Sequence, residues 1–504
     1  MEVIQIGKQL WKAAESLSGD IHWTLKDGEK ELFSEDEKRP PSYDVIILDG
    51  PIADCNVQVI KDLGAPYTYF FTENISGTDK LKEMIIGKSP KALKSSEIDE
   101  FIKSLPVKYF RGQHGAKLSV EEIFLYKPFQ YAASFDGHRA MVIDATYGRK
   151  FRAVAGWRYN IFQNKGQANE LWLEYSRNQS VEIQLRVAVF RRGSLDTLES
   201  MTTYSEAELN EPIIVKDSGW GGYISVVLLA KGAGKIELGP LHFRTSRLGE
   251  GQFLPGGRRH VFSGGQEFIS YFNIGDRKPP LNVYFSGYRT AEGFEGYYIM
   301  NSMDSPFLLI GDPRLEGGAF YLGSEEFETG IVNVIEDALK TLGFSRDDLI
   351  LSGMSMGTFG AVYYGSVLKP HAIIIGKPLM NLGNVAANEK RLRPGGFPTS
   401  LDVLRSNTGG NGEKEIRELN ERLWKRFDAA DFSNTEFAVS YMYQDDYDVD
   451  GYPDILAHLK DKKIPIVSKG LEGRHNDNTT GVVTWFMSQY RRILSSDFDR
   501  EVYS

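Results

Sequence analysis

Residues 349–360 read Leu-Ile-Leu-Ser-Gly-Met-Ser-Met-Gly-Thr-Phe-Gly, an apolar run that turns through two glycines and continues in small and apolar residues. Its centre is a G-x-S-x-G pattern around Ser355, typical of a nucleophile elbow, in which a serine lies on a strained strand-to-helix turn. The glycines are needed because a side chain there would collide with the neighbouring strand or helix. Asp348 to Leu351 is predicted to be a buried strand, and Thr358 to Val367 a helix. The segment therefore predicts an exposed serine hydroxyl at the end of a sheet strand.

The composition is that of an ordinary soluble protein, with 504 residues, of which 41% are hydrophobic and 25% charged. A formal net charge of −9 argues against nucleic-acid binding. Cys55 is the single cysteine, so no disulfide can form within the chain, and we expect a buried structural thiol. The N-terminus has no signal-peptide pattern, and no run of about 18 apolar residues occurs. We expect a protein that is made and kept inside the cell, and these features leave peripheral contact with the membrane open.

The first half of the chain divides into two regions by the pattern of its predicted elements. Residues 1–118 alternate strand and helix signals, with strands at 43–48 and 67–71 and a helix at 57–63, which predicts a small α/β domain. Residues 119–248 contain short alternating segments separated by turns, which is typical of a β-sandwich. The strands expected in the sandwich are 172–175, 181–190, 213–215, 223–229 and 236–243.

Sandwiches of this kind often bind carbohydrates through exposed aromatic side chains. Trp157, Trp172, Trp220 and Tyr223 are the candidates, and for each of them a core position is the favoured interpretation. The sequence Lys-Gly-Ala-Gly-Lys at 231–235 superficially resembles a phosphate loop. No Ser or Thr follows it and its flanks are strands, so we expect a hairpin turn there.

Residues 249–504 are predicted to form an α/β-hydrolase-like catalytic domain. Its first part, 249–280, is rich in Gly, Arg and Pro and is expected to be a linker or a covering loop. Residues 380–432 interrupt the later alternation with two loops and a charged helix at 413–429, which indicates an inserted cap over the active site or, equally, a solvated surface helix. Besides the elbow strand, parallel strands are expected at 281–285, 307–310, 372–375, 437–443 and 464–468.

A serine hydroxyl needs a base to take its proton, and a histidine oriented by a carboxylate is the usual arrangement. In a doubly wound hydrolase the acid and then the histidine follow the serine, each on a loop after a strand. His475 fits because it lies between the last predicted strand and the last helix. Asp445 is the first acidic residue after the strand 437–443 and is our choice for the acid. Asp446 and Asp448 are the alternatives.

The acidic run has a competing interpretation as a calcium loop. Residues 446–451 match the first half of the pattern, but position 12 would be Ala457 where a bidentate Glu is required. We therefore predict no metal site.

The oxyanion of an acyl-transfer intermediate needs two backbone N–H donors. Met356, the residue after the nucleophile, is expected to supply one of them. The second is expected from the loop that follows the strand 281–285, where Gly287 allows a close approach and Tyr288 or Arg289 can present its amide.

Several segments taken together resemble the second accessory Sec system protein of Gram-positive cocci: Gly353–Gly357, Asp312–Arg314, Gly317–Tyr321, Gln444–Asp448 and Gly473–Asn476. The resemblance covers the whole chain. It implies a cytosolic protein that works with two other accessory Sec proteins and the accessory Sec translocase motor. It also implies O-acetylation of N-acetylglucosamine on serine-rich-repeat adhesins, with Ser355, Asp445 and His475 as the triad. An acetyl donor of unknown identity is then required, and no bound cofactor is expected.

Three functions fit these residues. An O-acetyltransferase would form an acetyl-enzyme at Ser355 and pass the acetyl group to a sugar hydroxyl. A serine carbohydrate esterase would use the same triad with water as the acceptor, so the two differ in whether the site excludes water. The third is a non-catalytic scaffold that delivers the adhesin to the translocase.

Overall fold

The computed structural model describes residues 1–16, 20–33, 42–194 and 196–501. Their strands form three sheets of five, ten and eight strands, each built from one continuous part of the chain. The mixed α/β class predicted from the sequence is confirmed. Among the helices in these ranges, none is long and apolar enough to cross a membrane.

The first sheet is wholly parallel, in the order β2-β1-β3-β4-β5. Its central strand β3 begins with four buried residues, Val-Ile-Ile-Leu, as expected for a parallel strand covered on both faces. The predicted strands at 43–48 and 67–71 and the helix at 57–63 correspond to β3, β4 and α1. The elements are β1 (Glu2–Gly7), β2 (His22–Lys26), β3 (Val45–Asp49), β4 (Tyr69–Phe71), β5 (Lys91–Ala92), α1 (Val57–Asp62), α2 (Asp79–Gly87) and α3 (Ile98–Lys108).

Cys55 is exposed, so the prediction of a buried thiol is wrong. It lies in the single helical turn Asp54–Asn56 that precedes α1. Asn56 takes the buried position of that turn, where its side-chain amide donates to the carbonyls of Gly28 and Lys30.

The second sheet is antiparallel throughout, and its ten strands surround one apolar core. We expected a β-sandwich in this region. Every strand is hydrogen-bonded into one sheet because two long strands, β9 and β15, pair with each other and with most of the others. The strands are β6 (Gly115–Leu118), β7 (Ile123–Leu125), β8 (Ala133–Asp136), β9 (Ala140–Trp157), β10 (Ile161–Gln163), β11 (Ala168–Arg177), β12 (Val181–Arg191), β13 (Leu198–Ser205), β14 (Ile213–Lys216) and β15 (Gly222–Ser246).

The hairpin turn expected at 231–235 is absent, because those residues lie inside β15. Gly232 and Gly234 have positive φ angles of 97° and 138°, and the register against β9 shifts beside Gly232. Such bulges bend a strand without reversing it. The predicted strands 223–229 and 236–243 are therefore two halves of one strand.

The four aromatic candidates of this region fall into two groups. Trp157 and Trp172 are buried, as the core interpretation requires, and the guanidinium of Arg259 lies 3.9 Å from the centre of the Trp172 ring. Trp220 and Tyr223 are 56% and 38% exposed, so for these two the core interpretation is wrong.

The third sheet has the order β16-β17-β19-β18-β20-β21-β22-β23, antiparallel up to β19 and parallel beyond it. The segment 249–280, expected to be a linker or a covering loop, supplies the first two strands. The prediction failed because β17 begins with Glu267, whose burial depends on partners elsewhere in the chain. The strands are β16 (Arg258–Val261), β17 (Glu267–Asn273), β18 (Leu281–Phe285), β19 (Phe307–Gly311), β20 (Leu349–Met354), β21 (Ala372–Gly376), β22 (Glu436–Met442) and β23 (Ile466–Leu471).

Helices cover both faces of this sheet, and alternate residues of each strand enter two different cores. In β20, Leu349 and Leu351 pack in the core that includes α5 and α6, whereas Ile350 packs in the core that includes α11. The helices are α4 (Tyr297–Asn301), α5 (Glu325–Leu342), α6 (Met356–Leu368), α7 (Leu382–Arg391), α8 (Ser400–Thr408), α9 (Glu413–Ala429), α10 (Gly451–Asp461) and α11 (Thr479–Phe498).

Residues 380–432 contain the helices α7, α8 and α9. The charged helix predicted at 413–429 has the same ends as α9 and is confirmed. Its apolar positions Leu419, Leu423 and Phe427 are buried in the core that includes α6, so it is not a fully solvated helix. The loop between α7 and α8 carries Phe397, which packs edge-on against the ring of Tyr288 with centroids 5.2 Å apart.

Candidate active site

Ser355 lies on a strained turn between β20 and α6. Its backbone angles are φ 52° and ψ −121°, a conformation that side chains other than glycine rarely adopt. Both glycines of the motif are sterically required. A Cβ at Gly353 would lie 2.4 Å from the carbonyl oxygen of Gly357, and one at Gly357 would lie 2.1 Å from that of Phe285. Because these contacts are to backbone atoms, the turn cannot relax, and the serine hydroxyl projects beyond the strand.

A continuous hydrogen-bond chain joins the three predicted residues. Oγ of Ser355 is 2.8 Å from Nε2 of His475, and Nδ1 of His475 is 2.8 Å from Oδ2 of Asp445. An ionised carboxylate only accepts hydrogen bonds, so Nδ1 must carry a proton, and Nε2 then presents its lone pair to the serine hydroxyl. His475 is 3% exposed, which shields this pair of bonds from water.

The loops that carry the acid and the histidine follow β22 and β23, so all three residues lie at the carboxyl ends of parallel strands. Asp445 is fixed within its own loop, because its Oδ1 accepts the N–H groups of Tyr447 at 2.9 Å and Asp448 at 3.2 Å. The backbone at Gly473, in the histidine loop, donates to the side chain of Gln444 at 2.6 Å. The two loops therefore support each other.

The two alternative acids have other partners. Oδ1 of Asp446 accepts the backbone N–H of His475 at 3.1 Å and forms an ion pair with Arg393 at 2.7 Å. Asp448 is buried and accepts the N–H groups of Met380 at 2.6 Å and Asn381 at 2.8 Å. Burial raises the pKa of Asp448 to about 6. Neither carboxylate contacts the imidazole nitrogens, and both tie the acid loop to neighbouring segments.

Of the two residues expected to donate to an oxyanion, Met356 directly follows the serine, and Tyr288 lies in a loop that approaches the elbow. Met356 is the first residue of α6, and first-turn N–H groups have no acceptor within their own helix. Tyr288 belongs to the loop after β18, which approaches the elbow so closely that a Cβ on Gly287 would lie 3.1 Å from the carbonyl oxygen of Met354. The N–H of Gly287 donates to Oε2 of Glu295 at 2.5 Å, so it is already occupied.

Residues that the sequence did not single out cover one side of the histidine. The ring of Tyr447 packs edge-on against His475, with centroids 4.6 Å apart. Arg393, from the loop after α7, lies over the Tyr447 ring at 4.0 Å in addition to its ion pair with Asp446. Sequence spacing gave no signal for these contacts, because they join segments far apart in the chain.

Lys377 is a further buried residue near the acid, and it directly follows β21. Its Nζ donates to the carbonyl of Asp477 at 2.9 Å and to the hydroxyl of Thr479 at 3.2 Å. Burial lowers the pKa of Lys377, and the carboxylate of Asp445 opposes that effect. Among the described residues, no group of three or more His, Cys, Asp or Glu side chains could hold a metal ion.

A largely parallel sheet that carries a serine on a strand-to-helix elbow, followed in the chain by an acid and then a histidine, defines the α/β-hydrolase class. The third sheet and its loops have this arrangement. The family described as accessory Sec system GspB-transporter matches residues 1–500, and the chain belongs to that family. The resemblance recognised in the sequence segments is thereby confirmed.

Relatives match along nearly the whole chain. The accessory Sec system protein of this family from Staphylococcus aureus (strain NCTC 8325 / PS 47) is 40% identical over 459 residues, covering 91% of this chain and 88% of that protein. Its counterpart from Streptococcus gordonii is 36% identical over 508 residues, covering 99% of each. A chain of the Glycosylation Associate Protein (Gap123) complex from Streptococcus agalactiae is 38% identical, covers 99% of both chains and has a TM-score of 0.88.

Proposed function

We propose that this protein is an O-acetyltransferase that acts on N-acetylglucosamine of serine-rich-repeat adhesins and is also a component of the accessory Sec export complex. The observation that carries the enzymatic part is the hydrogen-bond chain from Ser355 through His475 to Asp445 at a strained elbow. A serine held in this way is activated as a nucleophile. The sugar substrate and the adhesin come from the family resemblance.

The proposed reaction has two half-reactions. In the first, Nε2 of His475 takes the proton of Ser355 while Oγ attacks the carbonyl carbon of the acetyl donor. The N–H groups of Met356 and Tyr288 stabilise the resulting oxyanion. When the intermediate collapses, His475 returns the proton to the leaving group, and the acetyl group stays on Oγ as an ester. Asp445 stabilises the imidazolium throughout.

In the second half-reaction the sugar hydroxyl is the nucleophile. His475 takes its proton as the hydroxyl oxygen attacks the acetyl-serine carbonyl, and the same donors hold the second oxyanion. Collapse breaks the bond to Oγ, which regains the proton from His475. The product is the O-acetylated sugar and the free serine. The acetyl donor is a second substrate, and we propose no bound cofactor.

We propose two other accessory Sec proteins and the accessory Sec translocase motor as partners. The similarity to a chain of the Gap123 complex supports assembly with other proteins of the system. In this proposal residues 1–118 form a small α/β domain, 119–248 a carbohydrate-binding-like domain and 249–504 the catalytic domain, whose cap is 380–432. The protein would work at the cytoplasmic face of the membrane.

The test is Ser355→Ala in a strain that exports a serine-rich-repeat adhesin. Mass spectrometry of the adhesin glycans measures acetylation, and immunoblotting of the surface fraction measures export. We expect acetylation to be lost, while export continues if the scaffold role is separate. Ser366→Ala is the matched control, because Ser366 lies in α6, the helix that follows Ser355, and its hydroxyl donates to the carbonyl of Val362. Acetylation that survives Ser355→Ala would refute the proposal.

An assay with purified protein separates transfer from hydrolysis. With a soluble acetyl ester as donor and a glycosylated repeat peptide as acceptor, a transferase gives acetylated sugar in preference to free acetate. An esterase gives free acetate at the same rate with and without the acceptor.

A further inference from the structure

The second sheet presents a polar face to the loops of the candidate active site. Strands β6 and β15 pair antiparallel, with Lys117 opposite His242 and Gly115 opposite Arg244. The side chains of Lys117, His242 and Arg244, together with Gln113 just before β6, all contact the third sheet or its loops. We call these four residues the docking face.

The docking face holds the loop 286–296, which follows β18 and contains Tyr288. Oε2 of Glu292 accepts from Nε of Arg244 at 2.6 Å, and Oε1 contacts Nδ1 of His242. The backbone N–H of Glu292 donates to the carbonyl of Gly115 in β6 at 3.0 Å. Both the side chain and the backbone at this position are therefore tied to the second sheet.

A second attachment lies two residues further along the same loop. The side-chain amide of Gln113 spans the backbone of Phe294: Oε1 accepts the N–H at 2.6 Å, and Nε2 donates to the carbonyl at 3.1 Å. The neighbouring Gly293 passes so close that a Cβ would lie 2.8 Å from Oε1 of Gln113. Two hydrogen bonds from one rigid amide fix both the position and the direction of the loop backbone.

A third attachment holds the loop that supports Tyr288 from the other side. Nζ of Lys117 donates to the carbonyls of Pro313 and Leu315, which follow β19. This loop continues to Gly317, which lies directly against the ring of Tyr288. The next residue, Gly318, lies against the side chain of Met356, where a Cβ would be 2.7 Å from the sulfur. Lys117 thus fixes the backbone against which Tyr288 packs.

The first of these attachments involves charges that are almost completely buried. The side chains of Arg244, Glu267 and Glu292 are 2%, 1% and 1% exposed, and Arg244 joins Glu292 to Glu267 of the edge strand β17. Removing charges from water costs free energy, and the attraction between them returns only part of it. A buried ion-pair network is therefore weak evidence for a gain in folding stability, and we attribute this one to the geometry that it specifies. Here it specifies where the loop 286–296 lies relative to the sheet that carries Ser355.

We propose that Gln113, Lys117 and Glu292 are positioning residues that hold the amide of Tyr288 at the oxyanion site. This inference rests on the proposed acyl-transfer function. It assigns a catalytic consequence to the first half of the chain, which lies outside the predicted catalytic domain. Oxyanion donors act only when they are preorganised, since a displaced amide stabilises the transition state less.

The experiment compares the full-length proteins Gln113→Met and Lys117→Met with wild type. Each change keeps an unbranched side chain of similar length and removes its hydrogen bonds, those of Gln113 to Phe294 and those of Lys117 to Pro313 and Leu315. Lys117→Met also removes the ion pair of Lys117 with Glu292. Gln184→Met is the control, since Gln184 is a partly buried glutamine of the same sheet whose strand neighbours are Leu229 and Ser205. Hydrogen–deuterium exchange of the peptides covering 286–296 and 312–321 measures anchoring, and steady-state hydrolysis of p-nitrophenyl acetate measures catalysis.

We expect faster amide exchange at 286–296 in Gln113→Met and at 312–321 in Lys117→Met. In the control, exchange at both segments should equal that of wild type. We expect kcat to fall by between about tenfold and the 10²–10³-fold that removal of a donor costs, with KM within about twofold of wild type. A merely structural role would lower the amount of folded enzyme and leave kcat per folded molecule unchanged. Gln113→Glu keeps the acceptor for Phe294 and should recover part of kcat.

Unchanged exchange in both variants would overturn the anchoring. Faster exchange with unchanged kcat would overturn the positioning role. If wild type hydrolyses the ester no faster than Ser355→Ala, the proposed function itself is what fails. The positioning role then falls with it, even where exchange demonstrates the anchoring.

Discussion

The substitution Asp445→Asn replaces one carboxylate oxygen in the hydrogen-bond chain by an NH₂ group, so an acceptor becomes a donor. Oδ1 of Asp445 accepts two backbone N–H groups, from Tyr447 and Asp448, whereas Oδ2 faces Nδ1 of His475. In Asp445→Asn the amide oxygen must keep the Oδ1 position, because only an acceptor satisfies two N–H donors. The NH₂ group then points at Nδ1, which has to accept. The imidazole therefore carries its proton on Nε2 and cannot take the proton of Ser355.

The size of the expected loss follows from this tautomer change. Where the same acid-to-amide substitution leaves the geometry of a Ser-His-Asp site intact, kcat falls by about 10⁴. At about 1.36 kcal/mol for each factor of ten, that is about 5.4 kcal/mol of transition-state stabilisation. KM should stay near the wild-type value, since no group that contacts the substrate is removed.

Asp446→Asn is the matched control, because the same change is made at the next residue. Asp446 accepts the backbone N–H of His475 at 3.1 Å, and an asparagine oxygen can accept the same bond. The variant loses the charge partner of Arg393, a partly exposed ion pair worth less than about 1 kcal/mol. We expect kcat to fall less than tenfold.

Both variants are assayed for p-nitrophenyl acetate hydrolysis and for acetylation of a glycosylated repeat peptide, and circular dichroism checks their folding. Equal losses in the two variants would refute the assignment of Asp445 as the acid. A folded Asp445→Asn protein with a loss below tenfold would refute the reasoning from the His475 tautomer.

Two further predictions concern stability. Gly357→Ala should destabilise the protein by about 1–3 kcal/mol or more and lower the soluble yield, because its Cβ would lie 2.1 Å from the carbonyl oxygen of Phe285. The control is Gly343→Ala, which should cost about 1 kcal/mol, because its Cβ meets no atom within 4 Å and only the positive φ is strained. Similar thermal midpoints for the two variants would contradict the steric argument. Burial lowers the pKa of His242, but the carboxylates of Glu292 and Glu174 outweigh that effect and raise the pKa above the usual 6.5. Protonated His242 therefore stabilises the folded protein fully below pH 6.5, and this contribution is lost as pH rises through the folded-state pKa. Denaturant unfolding at several pH values should show wild type losing about 1.4 kcal/mol per pH unit in that window relative to His242→Gln, and parallel curves would contradict the assignment.

The positions of Ser355, Asp445 and His475 were predictable because each follows a buried apolar strand, and parallel strands bring their carboxyl ends to one edge. The choice of Asp445 over Asp446 and Asp448 rested only on its being first in the loop. The structure gives a physical reason for how Asp445 and Asp448 differ. The N–H groups of Tyr447 and Asp448 hold the Asp445 carboxylate in place, whereas those of Met380 and Asn381 hold the Asp448 carboxylate away from the histidine.

Local patterns failed where burial depends on a distant partner. The Gly, Arg and Pro residues of 249–280 predicted a linker or a covering loop, yet the segment contains β16 and β17, in which Glu267 is buried because Arg244 reaches it from the second sheet. The glycines of 231–235 are local signals of a turn, but β15 continues through them because β9 pairs with residues 232–238 and β12 pairs with β15 as far as Gly232. Neither outcome can be read from the neighbouring residues alone.

The attachment of Gln113 to Phe294 joins residues 181 positions apart, and this distance sets an order of events during synthesis. At about 5–20 residues per second, the ribosome completes Gln113 roughly 10 to 35 s before the loop residue it binds. Domains generally fold as units, so the second sheet can already be folded when the loop emerges and can serve as its template. Ser355 and His475 are made later still. Competence for the proposed acyl transfer is therefore expected only of the finished chain, and a nascent or truncated product that carries one half of the attachment should be inactive.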